Sequence, residues 1–502
     1  MLLGTNVVST LLSVPLALHY LSKAEFGLWA LTSQLAAFLS QIDLGMNSSI
    51  ARILIDHKDQ KSSGLYGGTI KTGVLVGMVQ GMIVLGGGLA LLFFLGGWLR
   101  VPKELSEPFF WLMAGQIFVA AISFVSRTFG QLLYAWQRLE IQNYAQIIKL
   151  IAWLIALWWG FIAGLGVYSF IGGVFAGWLC EASICAVACW KLDLWPHKEE
   201  WGNVSLKQFR ELFHYATDLF LIALGTQIIL SSQTILITRM LGMEAVAVWS
   251  VMTKAYLFIS QMIFRVVNTT MPALAEMQVR LENTRLWERY RGIFNTVTVA
   301  SGLFAILFAA CNGPFVTIWT NGRFSWPFLN DVLLGIWLML LAQVCCHNSL
   351  IMCLKQVREL KYSYLVEGMV FIVSAILVLP QWGITGMLAC SIVCTCLFTL
   401  GNGVWRVASL SRTNHQPALW KWQQPLLRLL AVLVPCWLIM RHLVRDLPEI
   451  IQLPVQGVCL GFIGVLAAVA FALPANLSNE IAGKLPRPFH RMLNPILRLN
   501  RN

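Results

Sequence analysis

The sequence predicts an all-α integral membrane protein with about 14 transmembrane helices. Three observations predict it. Of the 502 residues, 58% are hydrophobic and only 12% are charged, with a mean hydropathy of +0.70. A soluble chain carries about a quarter charged residues because its surface faces water, so too little polar surface remains here to cover a globule. Apolar runs of about 18 residues or more recur along the chain, each long enough to cross the hydrocarbon core as a helix. Lys and Arg fall mainly in alternate loops between those runs. Spanning strands are excluded, since the runs are too long and lack alternation.

The elements follow in order. Span 1 covers roughly 2–20. It carries Asn6, Thr10 and Ser13 on one stripe, and Pro15 marks a place where it can bend. Its run from Leu2 to Leu18 has neither a basic leader nor a small-residue cleavage site, so it reads as a span and not a signal peptide. Spans 2 to 6 cover roughly 26–50, 72–98, 109–133, 144–165 and 167–190. Spans 7 to 12 cover roughly 214–238, 243–271, 293–319, 330–352, 363–381 and 384–409, with Pro314 a second bending point in span 9. Spans 13 and 14 cover roughly 426–445 and 453–474. Gly164-Leu-Gly166 and Gln381-Trp-Gly383 are so short that their flanking helices must form tight antiparallel hairpins. Trp98, Trp319, Trp382 and Trp405 sit where runs end, at headgroup level.

Orientation follows from the basic residues. One set of loops holds only Lys23, Arg100, Lys103, Arg239, Arg323, Arg441 and Arg445. The loops after even-numbered spans, with the C-terminal tail, hold roughly four times as many, which puts them and both termini in the cytoplasm. The net charge of +13 is therefore an orientation signal, and nucleic acid is not an expected partner. Lys191–Arg210 and Glu276–Arg291 are the longest polar connections. The tail from Lys484 to Arg501 interleaves basic residues with Phe489, Leu493, Ile496 and Leu497, a pattern suited to anionic membrane lipids.

An internal repeat organises the spans. Leu21-Ser-Lys-Ala-Glu-Phe-Gly-Leu-Trp29 parallels Leu241-Gly-Met-Glu-Ala-Val-Ala-Val-Trp249. Gly166-Val-Tyr-Ser-Phe-Ile parallels Gly383-Ile-Thr-Gly-Met-Leu at nearly the same offset of about 220 residues. An even number of spans lies between the members of each pair, so the halves keep one orientation, related by a pseudo-two-fold axis along the membrane normal. Two six-helix bundles enclosing a central cleft are expected: residues 1–205 and 206–412. Residues 413–475 add two further spans and 476–502 form the basic tail. The cysteines lie mostly inside apolar runs without zinc spacing, and read as small packing residues. No metal or cofactor is expected.

Leu21-Ser-Lys-Ala-Glu-Phe-Gly27, then Asp43-Leu-Gly-Met and Ala51-Arg52, resemble the opening of bacterial polysaccharide transporters. These are the lipid-linked oligosaccharide (O-antigen type) flippases of the multidrug/oligosaccharidyl-lipid/polysaccharide (MOP) superfamily. Leu241-Gly through Trp249-Ser-Val-Met-Thr-Lys254, with Pro272, resembles their second half. The resemblance implies a carrier in the bacterial cytoplasmic (inner) membrane that moves undecaprenyl-diphosphate-linked sugars outward for surface polysaccharide assembly. A polysaccharide polymerase is an implied partner. The polar stretch that usually precedes the first helix in that family is absent here.

Charge inside hydrocarbon is costly, so each instance is a functional candidate. Lys254 and Arg265 in span 8 lie eleven residues apart, about three turns plus 20°, and share a face with Gln261. Span 4 carries Gln116, Ser123, Arg127 and Gln131 on one face. Since Arg and Lys give charge-assisted hydrogen bonds to phosphate, Arg127, Lys254 and Arg265 are the expected headgroup ligands. Against this, Arg127 and Arg265 lie towards span ends, from which they can snorkel. Asp43, Glu181, Asp218 and Glu367 are the acids that can pair with these cations or couple transport to H⁺ or Na⁺. Asp218 and Glu367 are placed within about a turn of the cytoplasmic surface, where a solvated role is the simpler expectation. Gln227, Ser231, Thr234 and Thr238 form a stripe on span 7 that either wets a cavity or joins helices.

No catalytic set emerges. His19, His347 and His442 are isolated, no GxxxxGK[ST] loop is present, and the chain is read as a non-enzyme. A cation-coupled multidrug exporter of the same superfamily is the alternative, disfavoured by deep charges that lean basic. A membrane glycosyltransferase or polymer ligase would need a large external loop with catalytic Arg, His or Asp, whereas the longest loops here are assigned to the cytoplasm.

Overall fold

The computed structural model describes residues 2–43, 46–57, 64–203, 206–354, 356, 358–411 and 415–472. Among them the chain forms sixteen α-helices and no strand. Two compact units divide it, Met1–Ser250 and Val251–Asn502. The first begins with α1 (Leu2–Tyr20), α2 (Lys23–Ser40), α3 (Met46–His57) and α4 (Leu65–Trp98). It continues through α5 (Lys103–Ala135), α6 (Leu139–Ile162), α7 (Ser169–Lys191), α8 (Leu206–Leu241) and most of α9 (Met243–Met252). The second holds α10 (Lys254–Val279), α11 (Asn283–Trp319), α12 (Phe328–Cys353) and α13 (Arg358–Thr395). It ends with α14 (Gly401–Leu410), α15 (His415–Leu443) and α16 (Glu449–Ala467).

Nine segments among the described residues are long and apolar enough to cross a membrane, and the bent pair α9–α10 makes a tenth. One of the nine, Glu359–Leu410, runs for 52 residues and folds back on itself. Thr395 Oγ1 reaches Glu367 Oε1 at 2.9 Å although 28 residues separate them, which a straight helix forbids at about 1.5 Å per residue. The reversal is at Gly383, whose φ of 57° and ψ of −150° leave the helix. Gly166, its counterpart in the repeat, also has a positive φ of 51°. Both expected hairpins thus turn on a glycine that tolerates the left-handed region. α1 and α11 continue as helices through Pro15 and Pro314.

Two spans expected as continuous helices are broken. Span 2 is interrupted by a 3₁₀ turn at Gln41–Asp43. The carbonyls freed there are satisfied from α4, since Gln80 Nε2 donates to Ile42 O at 3.2 Å and Asp43 O at 3.0 Å. Span 8 bends by 46° between α9 and α10.

In the first unit, Met46, Ile50 and Leu54 of α3 pack with Tyr66 and Ile70 of α4 and with Leu132 and Leu133 of α5. In the second, α15 and α16 cover α11, joining Leu429, Leu433 and Leu460 to Val299, Ile306 and Ala309. Large apolar side chains also face outward: Phe93, Phe94 and Trp190 are 74%, 77% and 75% exposed. Such a surface needs lipid as its solvent. The expected basic tail, 476–502, lies outside the described residues.

Candidate functional site

In the first unit the break in span 2 brings Asp43 to Arg127 of α5. Their Oδ1 and Nη1 atoms are 3.7 Å apart, with both side chains partly buried. The Arg127 guanidinium also lies over the Phe124 ring, 4.3 Å from its centroid. Asn47 Nδ2 donates to Asp43 Oδ1 as well. Arg127 is therefore held against Asp43 and Phe124 with part of its side chain still exposed. Glu181 of α7 meets Lys149 of α6, with Nζ 2.6 Å from Oε2. Sequence reasoning missed Lys149, although a lysine within span 5 was a visible signal.

The polar residues of the first unit mostly join helices. Gln116 Nε2 donates to Thr32 Oγ1 at 3.2 Å, both buried, tying α5 to α2. Gln34 of α2 and Gln227 of α8 both donate to Ser231 Oγ. Ser231 is buried, as is Thr234, whose carbonyl accepts from Thr238 Oγ1 at 2.7 Å. Ser123 gives its hydroxyl to the Ala120 carbonyl of its own helix at 2.7 Å. The side chain of Asp218 lies outside the described residues.

In the second unit α10 carries a polar face. Lys254 is its first residue, partly buried and without a hydrogen bond or ion pair among the described residues, and Gln261 and Arg265 are exposed. Asn268, not singled out from the sequence, is exposed on the same face one turn further. Polar side chains of this kind on a spanning helix require water or a polar ligand beside them.

Glu367 departs from expectation. It is buried, 1% exposed, and not solvated near a surface. Oε1 accepts from Thr395 Oγ1 at 2.9 Å and Oε2 from the Thr399 backbone N–H at 3.2 Å. Trp337 Nε1 donates to Thr395 Oγ1 at 3.1 Å. No cation pairs with Glu367 among the described residues. Counting residues from a loop misplaced it, because depth within a bundle depends on which helices cover the side chain.

Two further polar residues, Asn312 and Asp331, went unnoticed in the sequence. Asn312 Nδ2 donates to Asp331 Oδ1 at 2.6 Å and to the Met252 carbonyl at 3.1 Å, and Trp326 Nε1 donates to Asp331 Oδ1 at 3.0 Å. His347, treated as isolated, is buried with Nδ1 2.6 Å from Tyr290 Oη.

With this geometry in hand, comparison with known proteins is informative. The sequence family described as "Polysaccharide biosynthesis protein" matches residues 1–278. No curated protein sequence matches the chain. Among solved structures, an inward-facing multidrug resistance MATE family transporter of the MOP superfamily superposes with a TM-score of 0.64 at 12% identity, over 81% of this chain and 96% of its own. The lipid II flippase MurJ, in an inward closed conformation, gives 0.64 at 13% identity, over 91% and 97%. A MOP superfamily transporter from Pyrococcus furiosus gives 0.57 at 15%, over 82% and 95%. At these identities the likeness is one of fold, and the fold is that of MOP-superfamily transporters.

Proposed function

We propose, from the premise that this chain belongs to the polysaccharide biosynthesis protein family, that it flips a lipid-linked oligosaccharide across the bacterial inner membrane. The cargo of this reading is an undecaprenyl diphosphate carrying sugars. The observation that carries it is the polar face of α10, where Lys254, Gln261 and Arg265 stand on a helix that otherwise spans hydrocarbon. Fixed cations suit a diphosphate, which accepts charge-assisted hydrogen bonds, while a prenyl tail stays in lipid. Arg127 is the cation of the first unit in this reading, and it exchanges Asp43 for phosphate oxygen. Exposed amides such as Gln261 suit sugar hydroxyls. A basic set disfavours cationic drugs as cargo.

Two bundles, 1–205 and 206–412, rock to give alternating access in this reading, with the excess of basic residues holding both termini in the cytoplasm. Of the three acids whose side chains are described, Glu367 is assigned to ion coupling, because Asp43 and Glu181 already have cationic partners. A polymerase is the expected downstream partner. The test is flipping of fluorescent undecaprenyl-diphosphate-linked sugar in reconstituted vesicles. Arg127→Ala, Lys254→Ala and Arg265→Ala should each slow it at matched amounts of reconstituted protein. Unchanged flipping in all three would overturn the assignment, and flipping indifferent to collapsed H⁺ and Na⁺ gradients would remove the coupling.

A further inference from the structure

We infer that Asn312 and Asp331 are positioning residues that act through Lys254, by holding open the break in span 8 at which Lys254 stands. The inference rests on the proposed role of Lys254. A break in a helix leaves carbonyls at the end of its first half in need of a donor. Met252 is the last residue of α9, and its carbonyl accepts from Asn312 Nδ2 at 3.1 Å. Asn312 comes from the middle of α11, and no local sequence signal supplies this donor.

The amide is itself fixed. Asp331 Oδ1 accepts from the same Nδ2 at 2.6 Å, so both acceptors stand on the NH₂ side of Asn312 and the other amide orientation would lose both bonds. Asp331 is in the first turn of α12, where the helix dipole favours its charge, and Trp326 Nε1 donates to its Oδ1 at 3.0 Å. Asn312 and Asp331 are 2% exposed. Just past the break, the Tyr256 ring stacks on Trp337 of α12, centroids 5.8 Å apart and 10° from parallel. The two contacts grip the chain on either side of Thr253 and Lys254, so the ammonium group starts α10 at a fixed place. Were α9 and α10 one straight helix, Lys254 would stand elsewhere.

Binding of undecaprenyl diphosphate to the full-length protein in lipid nanodiscs tests this, with hydrogen exchange of the backbone over residues 250–260. Lys254→Ala should weaken binding by about tenfold or more, as loss of a charged hydrogen-bond donor does. Asn312→Leu should weaken it to a similar extent and speed exchange at the break. The double variant should bind no more weakly than either single one, since both remove one interaction. Asp331→Asn keeps an acceptor for Asn312 and should retain binding, whereas Asp331→Leu should not. If Asn312→Leu does not accumulate, Asn312→Ser replaces it. Losses that multiply in the double variant, or an unchanged exchange rate in the Asn312 variant, overturn the positioning role. Normal binding by Lys254→Ala instead removes Lys254 from the diphosphate site, and with it the positioning role of Asn312 and Asp331.

Discussion

The carboxylate of Glu367 accepts a hydrogen bond from the backbone N–H of Thr399 at 3.2 Å, inside the π-helical turn Cys396–Leu400. A π turn draws its N–H groups out of α register, and here a buried acid from the other arm of the hairpin takes one of them. Glu367→Leu should therefore destabilise the protein by about 1–3 kcal/mol, because a buried donor loses its acceptor. Glu367→Gln keeps an oxygen in place and should cost less. Thermal unfolding followed by tryptophan fluorescence in nanodiscs checks the order. Equal losses in the two variants would mean that volume, not the acceptor, is what matters.

Asp43 and Arg127 allow structural and transport roles to be separated. Arg127→Gln leaves Asp43 without its cation and should lower protein level as well as polymer export. Adding Asp43→Asn removes the unpaired charge, so the double variant should recover in amount. Export should stay down by about tenfold or more, since charge-assisted hydrogen bonds to phosphate are still missing. Immunoblots beside surface polysaccharide staining read both. Recovery of export with amount would make the pair purely structural.

Length and apolarity placed nearly every span, and the hairpin glycines Gly166 and Gly383 were legible because few residues can turn so tightly. The breaks were not. Span 8 bends at Thr253 with neither Gly nor Pro at the bend, and the group that satisfies it, Asn312, lies 60 residues away. The same gap separates candidate from partner at the charged residues. Asp43 and Arg127 could each be picked as costly in lipid, yet only folding shows that they meet. Ser231 had two readings that sequence alone left open, and its hydrogen bond from Gln34 shows it joining helices, as the bond from Gln116 to Thr32 does on the face shared with Arg127.

Lys149 and Glu181 join α6 to α7 through one 2.6 Å contact, with side chains 45% and 27% exposed. Attraction between opposite charges does not depend on which helix bears which sign. Lys149→Glu combined with Glu181→Lys should accumulate better than either single reversal, which sets like charges side by side. Protein yield from matched membranes is the measurement. A double variant no better than the worse single one would show that neighbours such as Cys185, and not the pair itself, select the signs.

Close backbone approach at one glycine and open space at another set apart their responses to an added methyl group. Gly27 lies on α2 where an added Cβ would run into the carbonyl oxygen of Met243, with the backbone N of Ala247 also near. Backbone cannot yield as a flexible side chain does, so Gly27→Ala should cost about 1–3 kcal/mol as the helices are forced apart. Gly86 lies inside α4, exposed, with nothing within 4 Å of an added Cβ. Its replacement adds no clash and removes conformational freedom from the unfolded chain, so Gly86→Ala should be neutral or stabilising by up to about 1 kcal/mol. Measured side by side, the unfolding midpoint of Gly27→Ala should fall below that of the parent protein and that of Gly86→Ala at or above it. A Gly27→Ala variant as stable as the parent would mean that α2 and the start of α9 do not approach as closely as described.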